Sequence, residues 1–407
     1  MTYLRFVLDN ARWLAVGFLL TLTSSYGQTF FISIFAADIR AEFSLSHGAW
    51  GAIYSLGTTA SAAVMVFAGV LTDRFRVRVL APAILVGLAL ACLSMAAVPN
   101  VIALVFVIFA LRFTGQGMTS QIAMVAMARW FQATRGRALS IASFGFAVGQ
   151  AVLPIVFVGL MVTLGWRQSW VVAAGLAIVL IPLLLLLLRQ ERTPQSIAES
   201  TSAAGMNGEH WTRGTLLRHS LFWMVVPLLL GPPAWGTALF FQQVHLAEVK
   251  GWQLTEYVAL YPWLTITSIS ATFLAGIAVD RFGAGRVLPI APIPYALGFI
   301  LISHADTLLM AAVGLTVTGI GIGMQGTVIG AFWAEFYGTR HIGAIKAAAT
   351  AVMVLGSAIG PGVSGFLIDF GMPFTDQMLI YAVYFIATSM LAFVGTTRAR
   401  KFLPTTP

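Results

Sequence analysis

Long stretches without a charged residue alternate with short polar loops along the whole chain. Twelve such apolar runs occur, at roughly 13–36, 48–71, 79–97, 101–127, 138–164, 168–188, 221–246, 256–279, 287–303, 307–334, 343–368 and 375–396. About 20 apolar residues in helical form cross a hydrocarbon core about 30 Å thick, so each run predicts a transmembrane helix. The first, from Trp13 to Ile34, is too long for a signal-peptide core and no small-residue cleavage site follows it. It reads as a retained span.

The loop between runs two and three returns later in the chain. Gly69, Asp73, Arg74 and Phe75 reappear as Gly276, Asp280, Arg281 and Phe282, a constant offset (276 − 69 = 207). The same offset carries Gly136 to Gly343, Gly149 to Gly356 and Pro154 to Pro361. One offset over seven positions indicates a duplicated half. The pattern predicts an all-α integral membrane protein, with twelve transmembrane helices in two pseudo-symmetric six-helix bundles at 1–189 and 221–407. A polar linker at 190–220 joins them. Its end, Trp211 to Leu217 with Arg213 and Arg218, fits a short amphipathic helix at the lipid headgroups or a solvated connector that holds one Trp.

Composition agrees with a membrane solvent: 59% of residues are apolar and 9% charged, against about 25% charged in a soluble domain. With the N-terminus in the cytoplasm, nineteen of the 23 Lys and Arg fall on the inner side and only Arg40, Arg167 and Lys250 on the outer. That asymmetry predicts an even number of spans in the plasma (inner) membrane, both termini cytoplasmic. The net charge of +9 is therefore a topology signal rather than a nucleic-acid footprint. The single cysteine, Cys92, lies mid-span and excludes a disulfide framework or a cysteine-based metal site. No nucleotide-binding Gly-Lys-Ser/Thr loop, metal-spaced cluster or nucleophile-base pair occurs, so neither an enzyme nor a cofactor is expected.

The one basic residue left over is Arg112, near the middle of span 4. A charge there costs about 2.5–3.5 kcal/mol on insertion scales and calls for a partner or a water-filled cavity. All fourteen Asp and Glu sit at or beyond a span end, so no core carboxylate serves as a permanent counter-ion. One reading is a guanidinium fork that takes a carboxylate in two hydrogen bonds, with Gln116 on the same helix face. The other is a structural arginine bonded to carbonyls. His245, near the outer end of span 7, titrates in the right range to couple a proton, or is a structural helix-end histidine.

Small residues mark close helix approach: Gly145 and Gly149 in span 5, Gly356 and Gly360 in span 11, and Gly319, Gly321, Gly323, Gly326 and Gly330 in span 10. In span 7, Gly231-Pro232-Pro233 removes backbone donors and predicts a break, tolerated in lipid only where freed carbonyls face protein or water.

Twelve spans in two repeats, with Gly-x-x-x-Asp-Arg after spans 2 and 8, resemble the major facilitator superfamily. Gly69, Leu71, Asp73 and Arg74 match that family's loop motif, with Arg76 where a second glycine is usual; the second copy keeps it as Gly283. Arg112 followed by Gly115 and Gly117 is similar to the family's span 4 motif. Within the family, Ser24-Ser25-Tyr26-Gly27-Gln28-Thr29-Phe30-Phe31 and Glu335-Phe336-Tyr337-Gly338 look most like bacterial monocarboxylate and oxalate/formate carriers. Those carriers have a basic residue in span 1 and an acid-arginine pair in span 8, and neither is present here.

The resemblance implies that spans 1, 4, 7 and 10 line the central path, which puts Tyr26, Gln28, Trp235 and Gln325 beside Arg112 and Gln116 as candidate ligands. It also implies gating by the Asp-Arg loops. Asp73 and Asp280 would face positive helix ends of the opposite half; Arg74 and Arg281 accompany them, Glu335 is placed to pair with Arg281, and Arg129 lies near Asp73. The resulting expectation is a monomeric secondary carrier of a small organic anion, a monocarboxylate, in symport with a proton or in exchange for a counter-anion. The alternatives are a multidrug or metabolite exporter of the same family and a non-transporting membrane sensor. The chain has Gly149-Gln150 where the exporters' span 5 signature has Gly-Pro.

Overall fold

A computed structural model describes residues 3–131, 134–189 and 204–403, apart from the side chains of Tyr3, Leu4, Asp73 and Arg135. Among these residues every regular element is helical. The chain divides into two compact units, Met1–Ala198 and Glu199–Pro407. Large apolar side chains lie open on the helices: Val66, Phe67, Ile102 and Phe106 are each at least 67% exposed. In water such surfaces would associate; in lipid they face the solvent they prefer.

In the first unit, α1 is a bent pair, Ala11–Gly27 and Thr29–Phe43. It is followed by α2 (His47–Ala68), α3 (Val77–Ala96), with Cys92 buried in it, and α4 (Val101–Trp130). The next helical stretch, Gly136–Leu187, is too long to be one span. It is divided at Gly165, whose φ of 79° and ψ of 165° are not helical, into α5 (136–164) and α6 (166–187). The second unit holds α7 (Ser220–Phe241), α8 (Leu254–Phe282), α9 (Ala284–Ser303), α10 (Leu308–Tyr337), α11 (Ile342–Asp369) and α12 (Phe374–Phe402). Counting α5 and α6 separately, the described residues contain the twelve expected spans.

The units repeat their internal packing. In the first, α1 lies on α5 and α2 on α4; in the second, α7 lies on α11 and α8 on α10. Small residues permit this, as expected. Gly145 and Gly149 face Phe18 and Ser25 of α1, and Gly356 and Gly360 face Leu230 and Ala234 of α7. Gly319 abuts the Leu264 carbonyl, Gly321 the Tyr295 ring and Gly323 the Ser268 carbonyl. Gly326 and Gly330 instead face open space, so they do not mark a close approach within the unit.

The bend of α1, 50° between its limbs, follows from its sequence. Ser24–Gly27 tighten into a 3₁₀ turn and Gln28 is extended (φ −89°, ψ 153°). The Thr23 and Ser24 hydroxyls bond back to the Leu19 and Thr21 carbonyls at 2.8 and 2.7 Å, a local competition that weakens the helical ladder. Gly27 adds backbone freedom and lets α4 come close: a Cβ on Gly27 would lie 2.6 Å from the Gln116 nitrogen. Opposite it, Arg112–Thr119 of α4 widen into a π turn.

The expected break in α7 takes a milder form. Pro232–Gly236 make a π turn, in the place that the 207-residue offset assigns to the α1 bend (24 + 207 = 231). The i→i+5 spacing of that turn carries the helix past the two prolines without a break, and the Tyr384 hydroxyl donates to the Pro227 carbonyl at 2.7 Å just before it.

Of the expected linker, residues 190–203 lie outside the described residues. The remainder rests on the second unit through a few residues, while most of its positions are exposed. Met206 is buried, the Trp211 amide donates to the Tyr337 carbonyl at 3.3 Å, and the Trp211 ring meets Tyr337 edge-on. A short helix at Arg213–Arg218 follows, capped by Thr212.

Gly27→Ala should lower stability by about 1–3 kcal/mol, the usual cost of overpacking, while Gly326→Ala, in open space, should leave it unchanged or slightly raised. Thermal unfolding of the two variants in detergent checks both.

Candidate functional site

The α1 bend and the α4 π turn bring four of the predicted residues into one place. The Arg112 side chain is 1% exposed, and its Nη1 donates to the Gly27 carbonyl at 3.0 Å. That carbonyl belongs to the turn where the α1 ladder is interrupted, so the guanidinium satisfies an acceptor that the bend sets free. Nε is buried with no hydrogen-bond partner among the described residues, and no described carboxylate lies within ion-pair distance of the guanidinium. Its Cζ lies over the Tyr54 ring, 5.3 Å from the centroid.

Gln116 is half-buried and contributes its backbone to the Gly27 crossing. Gln28, next to Gly27, is also half-buried. Tyr26, on the other side of Gly27, is enclosed by Phe31 and Phe157, both edge-on at 5.2 and 6.0 Å.

In the second unit, half-buried Trp235 stacks on Tyr381, with centroids 4.2 Å apart and planes at 11°. It meets Tyr384 edge-on at 5.7 Å. The Gln325 amide oxygen accepts from the Tyr295 hydroxyl at 3.1 Å, and the Tyr295 ring stacks on Phe385 at 4.9 Å. Tyr295 also faces Gly236, so it bridges from the α7 π turn to Gln325. His245 lies beyond α7, on the short helix Gln243–Lys250, and is half-buried. By helical rise it is about 15 Å along the chain from Trp235.

Among the loop charges, Glu335 departs from its expected pairing. Arg129, at the end of α4, donates to the Thr72 carbonyl at 2.6 Å, which fixes it to the turn carrying Asp73; the Asp73 side chain lies outside the described residues. Arg74, Asp280 and Arg281 are exposed. Glu335, expected beside Arg281, instead accepts from the Ala284 amide at 2.6 Å and faces the Gly285 amide at 3.5 Å. It is a carboxylate at a helix N-terminus, where unpaired N–H groups and the helix dipole favour negative charge. Arg281 lies over the Phe282 ring.

Sequence reasoning ranks Tyr54, a polar residue of span 2, below those of spans 1, 4, 7 and 10, and does not reach Tyr295 or Tyr384. Tyr54 was visible as a polar residue in an apolar span, but the resemblance directed attention to spans 1, 4, 7 and 10. The two others carry no local signal, because their partners lie on distant helices.

A sequence model of the Major Facilitator Superfamily matches residues 17–270 and 258–407. A hexuronate transporter of Escherichia coli (strain K12) is 23% identical over 152 residues, 34% of this chain and 35% of that one. A multidrug resistance protein B homolog of Mycobacterium tuberculosis is 32% identical over 120 residues, 30% of this chain and 21% of that one. The chain thus spans about a third or less of the length of these relatives. The crystal structure of a bacterial homolog to the human lysosomal transporter Spinster superposes with a TM-score of 0.74 at 16% identity, over 98% of this chain and 99% of that one. At that identity the likeness establishes the fold.

Glu335→Ala should lose a helix cap, about 1 kcal/mol, and lower the unfolding temperature by about 2–4 °C. Arg281→Ala should leave it nearly unchanged. Equal losses in thermal unfolding would mean that the two side chains act as a pair.

Proposed function

Because the chain belongs to the Major Facilitator Superfamily, and is a multi-pass membrane transporter rather than an enzyme, we propose that its cargo is a small organic anion bearing a carboxylate. One observation carries the reading: a buried guanidinium with an unpartnered Nε and no described carboxylate beside it. Two charge-assisted hydrogen bonds to a carboxylate would complete the fork and neutralise a charge that is costly in lipid. The hexuronate transporter's name points the same way, since a hexuronate is a sugar acid. Gln116, Tyr26 and Gln28 are the further candidate ligands of the first half, and Trp235 and Gln325 those of the second.

A monocarboxylate is the simplest cargo that fits, moving with a proton or against a second anion; His245 is the candidate for proton coupling. The distribution of basic residues supports placement in the plasma (inner) membrane with both termini in the cytoplasm. Gating falls to Asp73, Arg74 and Arg129 in one half and to Asp280, Arg281 and Glu335 in the other. The multidrug resistance relative raises export of drugs as a second reading. A cationic drug calls for a carboxylate within the membrane, and all fourteen acidic residues lie near span ends, which favours the anion.

Counterflow of labelled lactate, pyruvate, formate and glucuronate in proteoliposomes tests the proposal. At least one should exchange, and Arg112→Gln and Arg112→Lys should each weaken its half-saturation tenfold or more, since charged hydrogen bonds contribute about 1.5–3 kcal/mol apiece. Wild-type affinity in both variants would remove Arg112 from the site.

A further inference from the structure

We propose that Tyr54 is the positioning residue of this site, its ring holding the Arg112 guanidinium so that the Nε–Nη2 edge is presented to the cargo. The proposal rests on the carboxylate reading of Arg112 given above. Arginine has a planar fork of five donors. Nη1 is committed to the Gly27 carbonyl at 3.0 Å, and Nε is buried without a partner. The Nε and Nη2 hydrogens on one side of the fork form a parallel pair matched to the two oxygens of a carboxylate. That edge is useful only if the guanidinium plane is fixed, because a free arginine side chain samples many rotamers.

Tyr54 supplies the fixing surface. It is wholly buried in α2, and Arg112 Cζ lies over its ring at 5.3 Å, within range of a cation–π attraction. The ring itself is tethered: its hydroxyl shares a 2.6 Å hydrogen bond with the Thr29 hydroxyl. Thr29 opens the second limb of α1, two residues past Gly27. One limb of α1 therefore orients an amino group of Arg112 through Gly27, and the other orients the ring through Thr29. The guanidinium plane is set by α1, α2 and α4 together.

The test uses purified full-length protein labelled with ¹⁵N-arginine. The Arg112 Nε–H resonance is assigned by its loss in Arg112→Gln. It should carry an upfield ring-current shift that Tyr54→Phe, which keeps the ring but loses the Thr29 tether, reduces and Tyr54→Leu removes. Tyr54→Met carries the same expectation as Tyr54→Leu and replaces it if the leucine variant does not fold. Lactate or glucuronate should move the resonance in the wild type. Removing the ring should weaken that anion's binding about tenfold, and the double variant Tyr54→Leu/Arg112→Gln should bind no more weakly than Arg112→Gln alone. A resonance unmoved by loss of the ring, or losses that add in the double variant, would overturn the proposal. A resonance that follows the ring but ignores both anions would uphold the placement of the guanidinium by Tyr54 and defeat the carboxylate reading.

Discussion

A helix that bends inside a membrane frees carbonyls that lipid cannot satisfy, and the hydrogen bond from Arg112 to the Gly27 carbonyl answers that constraint in the first half. Each unsatisfied backbone group in hydrocarbon costs several kcal/mol, so the α1 bend and the buried cation stabilise one another. At the equivalent place in α7 the second half widens into a π turn instead, with the neutral Tyr384 hydroxyl on the Pro227 carbonyl just before it. Where the offset would put a second arginine (112 + 207 = 319) stands Gly319, packed on the Leu264 carbonyl. The scaffold is duplicated, and the charge belongs to one copy. That asymmetry gives the first half the electrostatic role in the proposed recognition of an anion.

The loop charges follow the polarity of the helix ends they meet. Arg129 lies against a carbonyl of the turn after α2, whereas Glu335 lies against amides at the start of α9. Opposite signs at comparable positions are what the helix dipole favours. Two of the three basic residues assigned to the other face act similarly at helix C-termini. Arg167 donates to the Ala96 and Val98 carbonyls at 2.6 and 2.9 Å and pairs with Glu42 at 2.5 Å. Lys250 donates to the Ser303 carbonyl at 2.7 Å. Residues that read as topology markers are also caps that tie neighbouring helices together.

Most of the architecture was legible in the sequence because lipid imposes a coarse code. Span length, loop charge and the repeat offset are one-dimensional quantities, and the gap between spans 5 and 6 at 165–167 contains Gly165, where the helix divides. What escaped depends on partners far away in the chain. The proline pair in α7 predicts a break, yet Pro232–Gly236 pass through a π turn packed on Tyr295, Tyr381 and Tyr384 from distant helices. Glu335, at the inner end of span 10, reads as a partner of Arg281, but span 9 begins at Ala284 rather than 287, and its first amide donates to the carboxylate. Arg112 was found from its charge alone, but its tie to Gly27 depends on a bend whose position no periodicity announces.

The central claim is that the guanidinium held by Gly27 is where the cargo's negative charge rests. The most direct measurement is an experimental density map of the protein with a bromine-labelled carboxylate such as 3-bromopropionate, located by anomalous scattering. The account predicts a bromine peak within about 8 Å of the Arg112 guanidinium, its carboxylate in hydrogen-bond contact with Nε, and no such peak in Arg112→Gln. A peak elsewhere that persists in Arg112→Gln would contradict it.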